Sequence, residues 1–255
     1  MSEHLQLTVD GAVATLTIDR PAKRNAMSHA MWSALPGLME RVEHDDAVRV
    51  LVVQGGDHFS AGADISEFGT LRNGAEGARA YSEVVHAGER AIAALSKPTI
   101  AAVNGFCVGG GCEIALACDF RIAAEDARFG ITPAKLGIIY HFTSTKRLVE
   151  AVGQAWAKQI LFTAELIDAA TALRIGLVNE VHPASELAAR AKELAAVLAA
   201  RAQVSVRGAK TVINRITDGL HAEDDHLHAV YEASYTSPEY AEGVQAFLEK
   251  RPPRF

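Results

Sequence analysis

Apolar and polar residues alternate in two short runs near the N-terminus, residues 5–9 and 13–18. Alternation is typical of a strand with one buried face, because successive strand side chains point to opposite sides of a sheet. The two runs are joined by Asp10-Gly11, a pair that favours the tight turn of a β-hairpin. The pattern therefore predicts an N-terminal hairpin.

The following stretch alternates between helical and strand patterns. Ser28 is the predicted N-cap of an amphipathic helix, which Pro36 should kink or split. Continuous β-branched or small apolar runs lie at 48–55 and 99–103, and a helical pattern at 77–95 separates them. Such runs are typical of strands buried on both faces, and their alternation with helices predicts an α/β fold with crossover connections.

From about residue 144 onward the pattern is almost entirely helical. Its clearest segment is SELAARAKELAAVLAARA, and the run at 176–183 is the one that resembles a strand. We place a domain boundary near residue 200. Residues 1–200 are predicted to form the core domain, and residues 201–255 a region of three amphipathic helices that packs on this core or on a neighbouring subunit.

Composition and charge exclude several classes of protein. The chain has 255 residues, is 49% apolar and carries a formal charge of -6, with its basic residues scattered, which argues against nucleic-acid binding. We see neither a membrane-spanning run nor a secretory leader, so we expect a cytoplasmic protein without membrane contact. Cys107, Cys112 and Cys118 are expected to be reduced core residues.

Three consecutive glycines precede a carboxylate in GGGCE, at the predicted start of a buried helix. A helix N-terminus exposes unpaired N–H groups, and glycine lets a ligand approach them closely. Gly110 could direct its N–H at an oxygen, with Glu113 on the same helical face. Alternatively, the glycines only permit close packing, and Glu113 only stabilises the first helical turn.

A second glycine turn, FSAGADI at 59–65, could supply another N–H from Ala63. Two backbone donors that converge on one oxygen form an oxyanion hole. The surrounding motifs exclude other sites: no G-K-S/T follows the glycines, G-x-G-x-x-G is absent, and Ser60 lies in no G-x-S-x-G. These two turns are therefore the candidate site.

Together FSAGADI, NGFCVGGGCEIALACDFRIAAEDARFG and EGVQAFLEKRPPRF resemble the enoyl-CoA hydratase/isomerase (crotonase) superfamily. The resemblance covers essentially the whole chain. It implies a spiral of ββα turns, a C-terminal helical region used in trimerisation, and a homotrimer or dimer of trimers. It also implies an acyl-CoA substrate and no separate cofactor, since coenzyme A is part of the substrate.

The same resemblance assigns roles to individual residues. The N–H groups of Ala63 and Gly110 would bind the thioester oxygen, and the reaction would pass through an enolate. Four further residues are implied to contact coenzyme A, with the last contributed by a neighbouring subunit: Asp64, Ile65, Arg24 and Lys250.

One segment departs from the hydratase pattern. Hydratases of this family carry a second glutamate where FGITPAKLGIIYH has Pro133, and His141 stands at a family glycine. Tyr140 and His141 are candidates to replace part of the missing group, beside Glu113 as the main acid/base. TPAKLGIIY is locally similar to methylmalonyl-CoA decarboxylases, which have a tyrosine facing the substrate carboxylate.

These departures leave three hypotheses open. The first is an enzyme of enoyl-CoA hydratase/isomerase type. The others are a decarboxylase of a malonyl-type CoA ester and a non-catalytic acyl-CoA-binding scaffold. No metal site is expected, because His226 and His228 in HAEDDHLH are two residues apart and point to different sides of a helix.

Overall fold

A computed structural model describes residues 3–255. Its strands within this range are β1 (Leu5–Asp10), β2 (Val13–Ile18), β3 (Val50–Gly55), β4 (Thr99–Val103), β5 (Phe106–Val108), β6 (Phe120–Ala124), β7 (Arg128–Gly130), β8 (Ile167–Asp168) and β9 (Glu180–His182). Its α-helices there are α1 (His29–His44), α2 (Phe68–Leu71), α3 (Gly74–Ala93), α4 (Gly110–Ala117), α5 (Phe142–Thr163), α6 (Ala169–Arg174), α7 (Leu187–Ala199), α8 (Gln203–Thr217), α9 (Asp225–Tyr235) and α10 (Pro238–Leu248).

The larger sheet has the strand order β1-β2-β3-β4-β6-β9. Strands β1 and β2 pair antiparallel, with Asp10 opposite Val13, so the predicted hairpin is confirmed. All the other pairs in this sheet are parallel. Parallel neighbours need crossover connections, which the intervening helices supply, and the predicted α/β architecture is therefore confirmed.

Both faces of this sheet are covered. Helices α1 and α3 pack against each other on one side, while Leu187, Ala191 and Ala195 of α7 pack on the other side. Strand β4 is buried along its whole length. This double burial explains its continuous apolar sequence, which lacks alternation.

Helix α1 runs without a split through Pro36, so of the two expected effects the split is excluded and a kink stays a prediction. Ser28 caps it by accepting a hydrogen bond from the Met31 N–H. An interior proline costs a helix about 3 kcal/mol. Six buried apolar side chains of α1 outweigh that cost, because each contributes roughly 1.5–3 kcal/mol.

A smaller sheet, β5-β7-β8, lies where the two glycine turns meet. The 59–65 turn is joined to β5 by hydrogen bonds from the Ser60 N–H to the Phe106 carbonyl and from the Val108 N–H to the Ser60 carbonyl. Cys107, Cys112 and Cys118 are buried thiols in this region, as predicted. These hydrogen bonds fix the position of the 59–65 turn relative to β5, although the two segments are far apart in the sequence.

Helices α8, α9 and α10 confirm the three helices predicted after residue 200, while the domain boundary itself stays a prediction. Helix α5 contains a break at Gly153, which has a positive φ of 71°. Within residues 3–255, no helix has both the length and the apolar character of a membrane span. Residues 1 and 2 of the N-terminal segment lie outside the described range.

Candidate active site

The two glycine turns bring two backbone N–H groups together. Gly110 is the first residue of α4, and Ala63 lies just before a 3-10 turn, Ile65–Glu67. A Cβ built on Gly110 would lie 3.5 Å from the Ala63 nitrogen and 2.9 Å from a ring carbon of Trp32. The predicted juxtaposition of the Ala63 and Gly110 N–H groups is present.

Position 62, next to this pair of N–H groups, requires glycine. Gly62 has a φ of +98°, and a Cβ there would meet the Val108 carbonyl oxygen at 2.7 Å and the Gly110 nitrogen at 3.3 Å. Within residues 3–255, the Ala63 and Gly110 N–H groups have no protein acceptor. Two neighbouring donors without an acceptor are what an oxyanion hole requires, and this role of Ala63 and Gly110 stays a prediction.

Glu113 lies one turn into α4, beside these donors. Its side chain is almost buried, and its Oε2 lies 3.6 Å from the position of a Cβ on Gly110. Burial raises the pKa of Glu113 to about 7, with a further contribution from the charge of Glu89; Ser144 and Arg72 oppose the rise. A carboxyl group with this pKa can both accept and donate a proton near neutral pH.

A second carboxyl group lies behind Glu113. Glu89 of α3 is fully buried and forms an ion pair with Arg147 of α5. Ser144 Oγ is 3.2 Å from Glu89 Oε2 and 3.3 Å from Glu113 Oε1. One hydroxyl can donate only one proton, so both contacts form at once only when one carboxyl group is protonated. The arrangement therefore fits a proton shared by the pair.

Tyr140 lies beside Glu113. Its hydroxyl is buried and makes no aligned hydrogen bond, although it lies close enough to lower the pKa of Glu113. Burial raises the pKa of Tyr140 well above its ordinary value, and the charge of Glu113 adds to the rise. Tyr140 is therefore suited to donate a hydrogen bond and unsuited to act as a base.

Ala63, Gly110, Glu113 and Tyr140 line one cavity. His141 precedes α5 and is exposed at the mouth of this cavity. Its Nε2 lies 3.1 Å from Ser82 Oγ, and its ring meets that of His86 edge-on at 4.5 Å between centroids. Pro133 begins a 3-10 turn, Pro133–Lys135, and lines the same cavity. The structure thus brings both sequence candidates to the cavity, with Tyr140 inside it and His141 at its rim.

The four residues expected to contact coenzyme A lie in different surroundings. Ile65 is 55% exposed next to the oxyanion pair, whereas Asp64 is buried and bound to Arg20 and Ser66. Arg24 is exposed over the ring of Phe106, and Lys250 is exposed after α10. Their roles toward coenzyme A stay predictions, and the Asp64 carboxylate is already engaged within the protein.

Sequence reasoning missed several residues of the site: Trp32, Arg72, His86, Glu89 and Ser144. The sequence carried a signal for one of these residues, Glu89. Glu89 lies on the buried face of α3 with Tyr81, Val85 and Ile92, and a carboxylate at a core position is unusual unless it is paired. The others carry no local signature, because their role comes from contacts between separate elements.

The site places two backbone N–H groups without a protein acceptor beside a buried carboxyl group within residues 3–255. The family model "Enoyl-CoA hydratase/isomerase" matches residues 8–255, and the chain belongs to this family. It is therefore an enzyme of enoyl-CoA hydratase/isomerase type, with the crotonase fold.

Named relatives are similar over nearly their whole length. The chain is 40% identical to a short-chain-enoyl-CoA hydratase of Clostridium acetobutylicum, covering 96% of this chain and 94% of that protein. It is 39% identical to a crotonyl-CoA hydratase of Syntrophomonas wolfei, covering 99% and 98%. A crystal structure of an enoyl-CoA hydratase/carnithine racemase from Magnetospirillum magneticum superposes with a TM-score of 0.96 at 34% identity, covering 100% of this chain and 96% of that one.

Proposed function

We propose that the protein adds water to short-chain 2-enoyl-CoA thioesters. The observation that carries this proposal is the pair of free N–H groups, Ala63 and Gly110, beside a carboxyl group with a pKa of about 7. The names of the two relatives support the same reaction and a short acyl chain.

The oxyanion pair supplies the driving interaction. Both N–H groups donate to the thioester oxygen, so the double bond is polarised and Cβ becomes electrophilic. As water attacks Cβ, the π electrons move toward the thioester oxygen and form an enolate. Each such donor is worth about 3 kcal/mol, because it strengthens as charge develops on the oxygen.

Glu113 moves the proton. Its carboxylate takes a proton from the attacking water, whose hydroxyl remains on Cβ, and the protonated carboxyl group then delivers a proton to Cα. The net change is H on Cα and OH on Cβ, and Glu113 returns to its starting state. One carboxyl group with a pKa near 7 suits both halves of this cycle.

Pro133 leaves this chain without the glutamate that hydratases carry at that position. We assign part of its task, the orientation of water or of Glu113, to the Tyr140 hydroxyl, which is buried, makes no aligned hydrogen bond and lies close to Glu113. His141 at the rim is the other candidate and would act through water. Neither residue replaces a second base, so Glu113 does the proton transfer.

The test is incubation with crotonyl-CoA in D2O, with products identified by mass spectrometry. We expect 3-hydroxybutyryl-CoA with deuterium at Cα. Tight binding of crotonyl-CoA with no turnover would favour the scaffold hypothesis and would contradict hydration.

Decarboxylation of a malonyl-type CoA ester is the second candidate. It is favoured by the buried Tyr140 hydroxyl, which makes no aligned hydrogen bond and could donate to a substrate carboxylate. The same oxyanion pair would hold the enolate that forms as CO2 leaves. Methylmalonyl-CoA in the D2O assay checks it: release of CO2 that falls in Tyr140→Phe would support this reaction, and no release would exclude it.

We also propose that the protein is a homotrimer or a dimer of trimers. Large apolar side chains are exposed along the C-terminal helices: Ile213, Ile216, Tyr235, Tyr240, Val244, Phe247 and Leu248. A subunit interface would cover such a surface. Light scattering coupled to size-exclusion chromatography measures the mass, and a monomer at micromolar concentration would contradict the proposal.

A further inference from the structure

Arg72 is a cation in the wall of the active-site cavity without an anionic partner. It follows α2, and its guanidinium carbon lies 3.9 Å from the ring centroid of Phe68 and 4.4 Å from that of Tyr81. Its Nε is buried and makes no hydrogen bond, and within residues 3–255 it forms no ion pair. The guanidinium packs on both rings, which meet edge-to-face with centroids 5.6 Å apart, while its buried Nε has no hydrogen-bond partner.

An unpaired arginine in a partly buried position is unfavourable for the folded protein alone. Burial lowers the pKa of Arg72, and the charges of Tyr81 and Glu113 oppose that change. Glu113 is not its ion-pair partner, since its Oε1 lies against Ser144 and burial raises its pKa to about 7. A partly buried guanidinium that packs on two aromatic rings is instead a preorganised donor for an anion from outside.

Arg72 stands where the reaction cavity continues into a groove along α3. The cavity and the groove share a set of lining residues: Phe68, Arg72, Ser82, His86, Ile138 and His141. The cavity thus offers an acyl group bound at Ala63 and Gly110 a path past Glu113 into this shared part. The charged residues of the outer groove are Arg79 and Glu83, whose opposite charges offset each other.

We propose that Arg72 binds a carboxylate on the far end of the acyl group, so that the protein prefers acyl-CoA esters that carry this second anionic group. The inference deepens the proposed hydration and rests on that function for the identity of the thioester. The planar fork of Arg72 matches two carboxylate oxygens, and its stacking lowers the entropic cost of binding. Arg79 is exposed and unstacked, so its charge is screened by solvent.

Binding of saturated analogues tests the proposal without depending on catalysis. Isothermal titration calorimetry would compare butyryl-CoA, 4-carboxybutyryl-CoA and the methyl ester of the latter, which has similar size without the charge. We expect the carboxylate to bind about 10- to 100-fold more tightly than the ester, which is the effect of one hydrogen-bonded charge pair. Arg72→Met should remove this preference and Arg72→Lys should keep part of it, while Arg79→Met is the matched control.

The outcomes separate this inference from the proposed function. Equal affinities of the wild type for the acid and its ester, an unchanged preference in Arg72→Met, or an equal loss in Arg79→Met would overturn the role of Arg72. Binding of butyryl-CoA by Arg72→Met shows that the variant is folded. Failure to hydrate crotonyl-CoA and its 4-carboxy derivative, with the binding preference intact, would instead overturn hydration and leave the carboxylate site standing.

Discussion

The two sides of the active site are built in different ways. On one side, Ala63 and Gly110 present backbone N–H groups, and the backbone around them leaves no room for a Cβ at Gly62 without a shift. On the other side, Tyr140, Ser144 and Glu89 present side chains from separate elements. On the proposed function, the backbone side would bind the oxygen of any thioester, whereas the side-chain side would set which proton moves and which acyl group fits.

The largest expected effect lies where the two sides meet. Glu113→Gln should lower kcat for crotonyl-CoA by about 10²- to 10⁴-fold, the usual contribution of a general acid/base, while leaving binding nearly unchanged because the N–H pair remains. Stopped-flow or steady-state kinetics with a titration of butyryl-CoA would measure both. Glu76→Gln, an exposed change on α3, is the control, and full activity in Glu113→Gln would refute the assignment.

The backbone side is tested by Gly62→Ala. A Cβ at this positive φ meets the Val108 carbonyl oxygen at 2.7 Å, so the turn must shift and move the Ala63 N–H. We expect kcat to fall by about 10²-fold, comparable to the loss of one oxyanion donor. Gly37→Ala, where an added Cβ meets nothing within 4 Å, should leave kcat unchanged. Equal rates in the two variants would mean that the turn geometry does not matter.

The side-chain side is tested by the pH profile of kcat/KM. The charge of Glu89 raises the pKa of Glu113 and the Ser144 hydrogen bond lowers it. Glu89→Gln should therefore move the limb assigned to Glu113 to lower pH, and Ser144→Ala should move it to higher pH. The other groups near Glu113, namely Arg72, Tyr81 and Tyr140, are unchanged in both variants. If the limb moved in the same direction in Glu89→Gln and Ser144→Ala, the result would show only general damage to the site and would contradict these two contributions.

The smallest effect concerns the loop that carries Ala63. Hydrogen bonds from Ser66, with a weaker contribution from Arg20, lower the pKa of Asp64 to about 2 although its burial opposes this. A depressed folded-state pKa contributes stability above the unfolded value of about 3.9, and this is lost as pH falls toward about 2. Asp64→Asn should lose about 2 kcal/mol at pH 7 and progressively less below pH 4. Urea unfolding at several pH values measures this, and a pH-independent loss would contradict it.

Much of the fold was predictable because its signals are local. The 5–18 hairpin, the continuous strands β3 and β4 and the helical region after residue 200 follow from periodicity and turn residues. The split expected at Pro36 did not follow, because the sequence shows the local cost of an interior proline and hides the packing of α1 on α3 that outweighs it.

By itself, the sequence determined the backbone side of the site and Glu113, since glycines at fixed spacing before a helix have a local physical meaning. Only the tertiary structure decided the rest. Ser144 meets Glu89 across 55 residues and Glu113 across 31, and Arg72 packs on the rings of Phe68 and Tyr81. Such contacts depend on how helices and loops pack, which no local pattern encodes. The physical reason is that a buried charge takes its pKa and its role from neighbours that are distant in the chain.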